Sequence, residues 1–231
     1  MTTVAPAPAR RATLHRRIRL IVAFTIVYNV IEAIIAITAG SLASSSALIG
    51  FGLDSSIEVL SAAAVAWQFT RRDPERWEKP TLRVIAVAFF ALAIYVVVSS
   101  ALSLIGGERP AHSTVGLVLT AVSVVIMPLV SLAERRAGHE VGSATAVADS
   151  KQTLICTYLS AAVLIGLALN SLWGWWWADA VAGLVIAIFA VREGVEAWKG
   201  DACATSVGMI LDDGHDHGHD HDHDHDHDHH R

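Results

Sequence analysis

Two cysteines, Cys156 and Cys203, are all that this 231-residue chain contains. They are too few for a disulfide framework and show no CxxC spacing, so no redox compartment can be read from them. Charge is scarce as well. Only 17% of residues are Asp, Glu, Lys or Arg, a share that speaks against an ordinary water-soluble enzyme of this length. No constellation of nucleophile, base and oxyanion donors is visible either, and an enzyme is not expected. Seventeen Lys and Arg stand against 22 Asp and Glu, a net charge of −5. Asp212 to Arg231 alone holds eight acids and one base, leaving 16 bases and 14 acids in Met1 to Leu211. No strongly basic surface remains for nucleic acid.

What the chain has in abundance is apolar sequence: 53% AVILMFWYC and a mean hydropathy of +0.48. A hydrocarbon core takes about 20 helical residues to cross, and six runs approach that length with little or no charge. They are Leu20–Thr38, Ser46–Phe69, Val84–Gly107, Ser113–Ala133, Gln152–Trp173 and Trp176–Trp198. The last is the weakest, because Arg192, Glu193 and Glu196 crowd its end. The first follows five arginines between Arg10 and Arg19. It resembles a secretion signal only superficially, being too long and lacking a small-residue cleavage site before a soluble chain. The expected fold is therefore all-α: a polytopic membrane protein of six transmembrane helices.

Lys and Arg accumulate in short cytoplasmic loops. Placing the N-terminus inside puts every basic residue except Arg109, 16 of 17, on one face, so both termini are expected in the cytoplasm. Trp67 and Trp198 then lie near inner ends, while Trp173, Trp175, Trp176 and Trp177 cluster at an outer end, where amphipathic rings anchor in the headgroup zone. The chain divides into a basic segment 1–19, a transmembrane domain 20–198 and a cytoplasmic tail 199–231. The tail is too short for a folded C-terminal domain and is expected to be disordered from 214.

Some charges sit where lipid should forbid them. An ionisable side chain at the bilayer centre costs roughly 2.5–3.5 kcal/mol on insertion scales, so one that persists faces a partner or a polar pathway. Asp54 and Glu58 on span two are spaced i, i+4, one turn apart on one face, and repel unless a cation or proton lies between them. A divalent metal resolves that repulsion directly. Protonation with a hydrogen bond to a neighbouring helix is the alternative. Glu32, with Asn29 one turn earlier on span one, either shares protons with that site or pairs across helices. Asp179, at the start of span six, reads as a cap or outer-end acid.

The words around these acids are GSLASSSALIGFGLDSSIEVLS from Gly40, with Tyr28, Asn29 and Glu32 upstream, ADSKQTLICTYLS from Ala148, and WADAVAGLVIAI from Trp177. Together they resemble the cation diffusion facilitator family of divalent-metal transporters, over roughly Val27 to Trp198. The DxxxE of span two and the AD opening of span five are the most specific words. The resemblance implies efflux of zinc or a similar ion in exchange for protons, usually by a homodimer, with a pair on span five completing the span-two pair. By position that second pair falls on Gln152 and Cys156, where the family commonly has His and Asp. In an antiparallel arrangement Asp54 is expected to approach Cys156, and Glu58 to approach Gln152. Both residues also read as ordinary small or polar packing positions. Asp149 lies on the same face as Gln152 and is either a loading ligand at the cytoplasmic mouth or an acid favoured near a helix start.

Oxygen plus thiolate donors in a near-tetrahedral set favour zinc, with cadmium or cobalt as alternatives, over magnesium or calcium. No organic cofactor is implied. Without the usual His, proton coupling falls to Asp54, Glu58, the Cys156 thiol and Glu32. The segment Arg71–Arg83, where many family members carry a metal-binding His word, has no His and reads as a solvated, positive-inside loop.

The tail holds nine histidines, His215, His217, His219, His221, His223, His225, His227, His229 and His230, alternating largely with Asp. The stretch His215–Arg231 has nothing apolar to bury, and neutral imidazoles bind zinc, copper and nickel. A metal-gathering arm is expected. Two functions stay open: a proton-coupled zinc efflux transporter, and a membrane-bound metal sensor or modulator whose transport site is degenerate and whose tail binds the metal. Any homodimer would form through the helices, and the compact length leans toward a bacterial inner membrane.

Overall fold

Ser44 and Ser45 break the first long apolar stretch into a hairpin. Ser44 adopts a left-handed backbone (φ 53°), and the Ser45 hydroxyl accepts the Leu48 N–H at 3.1 Å, an N-cap that starts the next helix. A computed structural model describes residues 8–69, 74–107, 109–141 and 144–199. Six helices follow one another: α1 (Pro8–Ala43), α2 (Ser46–Phe69), α3 (Pro74–Gly106), α4 (Thr114–Val141), α5 (Ala144–Trp173) and α6 (Trp177–Lys199). There is no strand among the described residues. The protein is an all-α, polytopic membrane protein.

Five helices hold runs long and apolar enough to cross a membrane: Leu20–Ala43, Ser46–Ala64, Lys79–Gly106, Thr114–Ala137 and Thr153–Trp173. The sixth expected span is present as α6 but is not among these five. Its 23 residues include Asp179, Arg192, Glu193, Glu196 and Lys199, too many charges for a simple lipid-crossing run. The segment expected as a loop from Arg71 to Arg83 is helical from Pro74 onward. Pro74 fits the first helical position, where its fixed φ is favourable and its missing N–H costs nothing.

Burial is uneven. Half of the α2 span is buried, against 28% of the α1 span, because α2 packs on α1, α3, α5 and α6. One apolar cluster joins Ile57 of α2 to Phe89, Leu92 and Val96 of α3 and to Ala187 and Ala190 of α6. Another joins Ala36 of α1, Leu48 and Phe51 of α2, Leu159 and Val163 of α5, and Ile186 of α6. Small residues permit this closeness, as between helices in lipid generally. A methyl placed on Gly183 of α6 would lie 2.6 Å from the Ser100 hydroxyl of α3, and one on Gly50 of α2 would lie 2.8 Å from Val96. Large apolar side chains such as Phe24, Ile34, Ile94, Val125 and Ile188 point outward.

The loops near the α2 start are knitted together. Gly174 (φ 67°) ends α5, its N–H reaching back to Asn170 C=O at 3.0 Å, an αL closure that suits glycine. Asn170 donates to Pro110 C=O at 2.9 Å, and Ala111 N–H to Ala43 C=O at 2.8 Å. Trp173, Trp175 and Trp177 form a run of ring contacts at 6.4 and 5.4 Å, an amphipathic cluster of the kind found at a membrane interface.

Candidate metal centre

Because α2 is the most enclosed helix, its acids are enclosed with it. Asp54 is buried, and Glu58, one turn further, is half-buried. Both Glu58 oxygens have partners from other helices. Cys156 of α5 donates its thiol proton to Oε1 at 2.6 Å, and Asn29 of α1 donates from Nδ2 to Oε2 at 2.6 Å. Asp54 receives no hydrogen bond from any described residue. It lies within electrostatic reach of Glu32 and of Glu193 of α6, and Cys156 within reach of Asp54, Glu58 and Glu32. Four helices thus contribute ionisable groups to one interior region. Among the described residues, no three His, Cys, Asp or Glu side chains are already gathered as a metal would gather them.

One turn beyond Asn29 on α1, Glu32 is only 2% exposed. Ser55 of α2 donates to its Oε2 at 2.9 Å, and Ser123 of α4 donates to its Oε1. The Tyr28 hydroxyl hydrogen-bonds that of Ser123 at 2.6 Å. The cross-helix pairing foreseen for Glu32 is realised, but with hydroxyls. Asp179 is also fully enclosed, at 1% exposure. It accepts from Ser45 at 2.5 Å, from Ser46 at 3.3 Å and from Ala47 N–H at 3.4 Å. Its sequence reading as a cap is right in kind, but the helix it caps is α2 rather than its own. A carboxylate beside the exposed N–H groups of a helix start is held by both hydrogen bonds and the helix dipole.

The expected pairing differs in one respect. Cys156 meets Glu58, where the sequence register paired it with Asp54. The glutamate arm is one methylene longer, and Asn29 holds its other oxygen, which swings the carboxylate across to α5. Asp149 and Gln152 lie on α5, but their side chains fall outside the described residues. The tail histidines, His215 to His230, also fall outside them. Sequence reasoning underused Asn29 and missed Ser55, Ser123 and the α2 capping by Asp179. Polar residues at single positions of apolar runs were the available signal, since in lipid they need partners.

The model of the cation efflux transmembrane domain matches residues 21–200, most of the chain and all of the helices around the acids. The chain belongs to this cation diffusion facilitator family. It is 34% identical over 94 residues to the cation-efflux pump FieF of Shewanella oneidensis. That match takes in 38% of this chain and 31% of the pump, so the chain covers about a third of that relative. The matched residues include α2, which carries Asp54 and Glu58. Of these two acids, Glu58 accepts the Cys156 thiol proton.

Proposed function

We propose that the protein exports a divalent cation, zinc foremost, from the cytoplasm in exchange for protons. The observation that carries this is the Cys156–Glu58 contact inside the bundle, one turn from Asp54. A thiol proton pointed at a carboxylate supports this as the place a zinc ion would take. Zinc binds thiolate sulfur at about 2.3 Å and carboxylate oxygen at about 2.0–2.2 Å, so only modest side-chain movement converts S–H···O into S–Zn–O. Ion entry releases the thiol proton, and ion exit lets a proton return. Asp54, with no hydrogen bond from the described residues, supplies the second carboxylate, and Gln152 is placed by sequence to supply an amide oxygen.

In this reading the ion loads from the cytoplasmic side past Asp149, and the bundle rocks to expose Asp54, Glu58, Gln152 and Cys156 outward. Protonated acids then permit the return. Glu32 is the third acid available for proton exchange. The charge distribution supports cytoplasmic termini, α6 as a sixth crossing, and domains at 1–19, 20–198 and 199–231. The bacterial relative supports a bacterial inner membrane. A homodimer would meet through the helices, and the histidines of the tail would gather metal on the cytoplasmic side.

Inside-out vesicles test the proposal. Asp54→Ala is expected to abolish proton-driven zinc uptake, whereas removing residues 214–231 shifts the affinity and leaves flux in place. Equal flux with and without Asp54 would sink this reading and leave a metal sensor acting through its tail as the alternative. Parallel runs with zinc, cadmium, cobalt and manganese in liposomes rank the substrates.

A further inference from the structure

Asn29 and Glu32 stand about one turn apart on α1, both buried, yet their polar atoms are provided for differently. Each Glu32 oxygen has a hydroxyl donor, Ser55 on one and Ser123 on the other. Asn29, only 4% exposed, uses half of its amide: Nδ2 donates to Glu58 Oε2 at 2.6 Å, while Oδ1 is buried with no hydrogen-bond donor among the described residues. Buried polar atoms are nearly always satisfied, and an exception calls for a ligand or a role. An amide oxygen has two kinds of partner, a hydrogen-bond donor or a cation.

The amide is planar, so the bond that fixes Nδ2 on Glu58 also keeps Oδ1 beside the same carboxylate. A cation shared by Glu58 and Cys156 would sit within reach of it. We propose that Asn29 Oδ1 is a direct ligand of the transported cation, so that the binding site draws on α1 as well as α2 and α5. This rests on the transport-site reading above. The chemistry suits the charge balance: a neutral oxygen completes a coordination shell without adding negative charge that must later be protonated. Glu32 is the poorer ligand of the two, since both its oxygens would first have to give up hydroxyl donors.

Cadmium-113 NMR of the full chain in lipid nanodiscs, loaded with cadmium alone, separates the buried site from the tail. A sulfur-ligated ion resonates apart from imidazole-bound ions, and Cys156→Ser identifies the buried-site signal by moving it. Asn29→Leu is expected to move that same signal and to weaken cadmium binding there by about tenfold or more. Asn29→Asp keeps an oxygen donor, loses the N–H to Glu58, and is expected to bind close to wild type. Asn29→Ser, short of the site, reads the same loss as Asn29→Leu if the leucine variant does not fold. A residue that merely steadied Glu58 would weaken binding without moving the signal, and that result, or an Asn29→Asp variant as weak as Asn29→Leu, overturns the proposal. A wild-type protein with no Cys156-dependent signal would overturn the transport site and this ligand together. A Cys156-dependent signal indifferent to Asn29 would overturn only the ligand.

Discussion

Asp179 and Asp54 are both buried carboxylates against α2, yet they are treated in opposite ways. Asp179 sits at the helix start with three donors around it, Ser45, Ser46 and Ala47 N–H. Asp54, two turns further along, has no donor among the described residues and two other acids in electrostatic reach. Burial alone therefore does not mark a functional acid. The donors around Asp179 join α6 to the start of α2, whereas a buried carboxylate without donors, such as Asp54, is open to an incoming positive charge.

The sharpest test of that contrast exchanges charge for an isosteric amide. Asp54→Asn is expected to reduce zinc flux to the liposome background while leaving the detergent unfolding transition where it was. A lost transition would make Asp54 structural and erase the distinction. Asp179→Ala should act on the other side of the comparison. Removing a buried charged acceptor costs about 1.5–3 kcal/mol per hydrogen bond to a charged group, so a marked fall in unfolding midpoint is expected. Zinc affinity of the surviving folded fraction, read by calorimetry, should be unchanged. Ser45→Ala removes one of those donors and the α2 N-cap together, and should lose about 1–2 kcal/mol.

Much of this architecture was legible in advance because lipid makes strict demands. Runs near 20 apolar residues predict six spanning helices, of which five are long and apolar enough to cross a membrane, and the i, i+4 acids mark one face of α2. α6 was equally visible as a helix, though its charges set it apart from the five. The partners were harder to see. Cys156 was placed opposite Asp54 by counting turns, and counting cannot know that the longer Glu58 arm, tethered by Asn29, would reach it first. Asp179 looked like a cap because acids favour helix starts, but which start it would serve depends on tertiary approach, here made close by Gly50 and Gly183. Ser55 and Ser123 were invisible because serine is unremarkable in a membrane helix until a buried carboxylate is set beside it.

Glu32 lies between the two extremes and should give the smallest and most informative effect. It is as buried as Asp179 and has a hydroxyl donor on each oxygen, but it lies in the same interior region as Asp54. Glu32→Gln keeps one carbonyl oxygen for Ser55 or Ser123 and replaces the other with an N–H₂ group, so the network loses a single acceptor. The expected stability loss is about 1 kcal/mol, the usual scale of one intramolecular hydrogen bond. If Glu32 is only a joint, zinc flux in liposomes keeps its dependence on an imposed proton gradient. If it exchanges protons during the cycle, the variant still binds zinc, because the acids of α2 are intact, but its flux no longer follows the gradient. Measuring zinc binding, zinc flux and proton flux on the one variant therefore assigns Glu32 to one side of the comparison. It also shows whether hydroxyl donors around a carboxylate suffice to exclude it from transport.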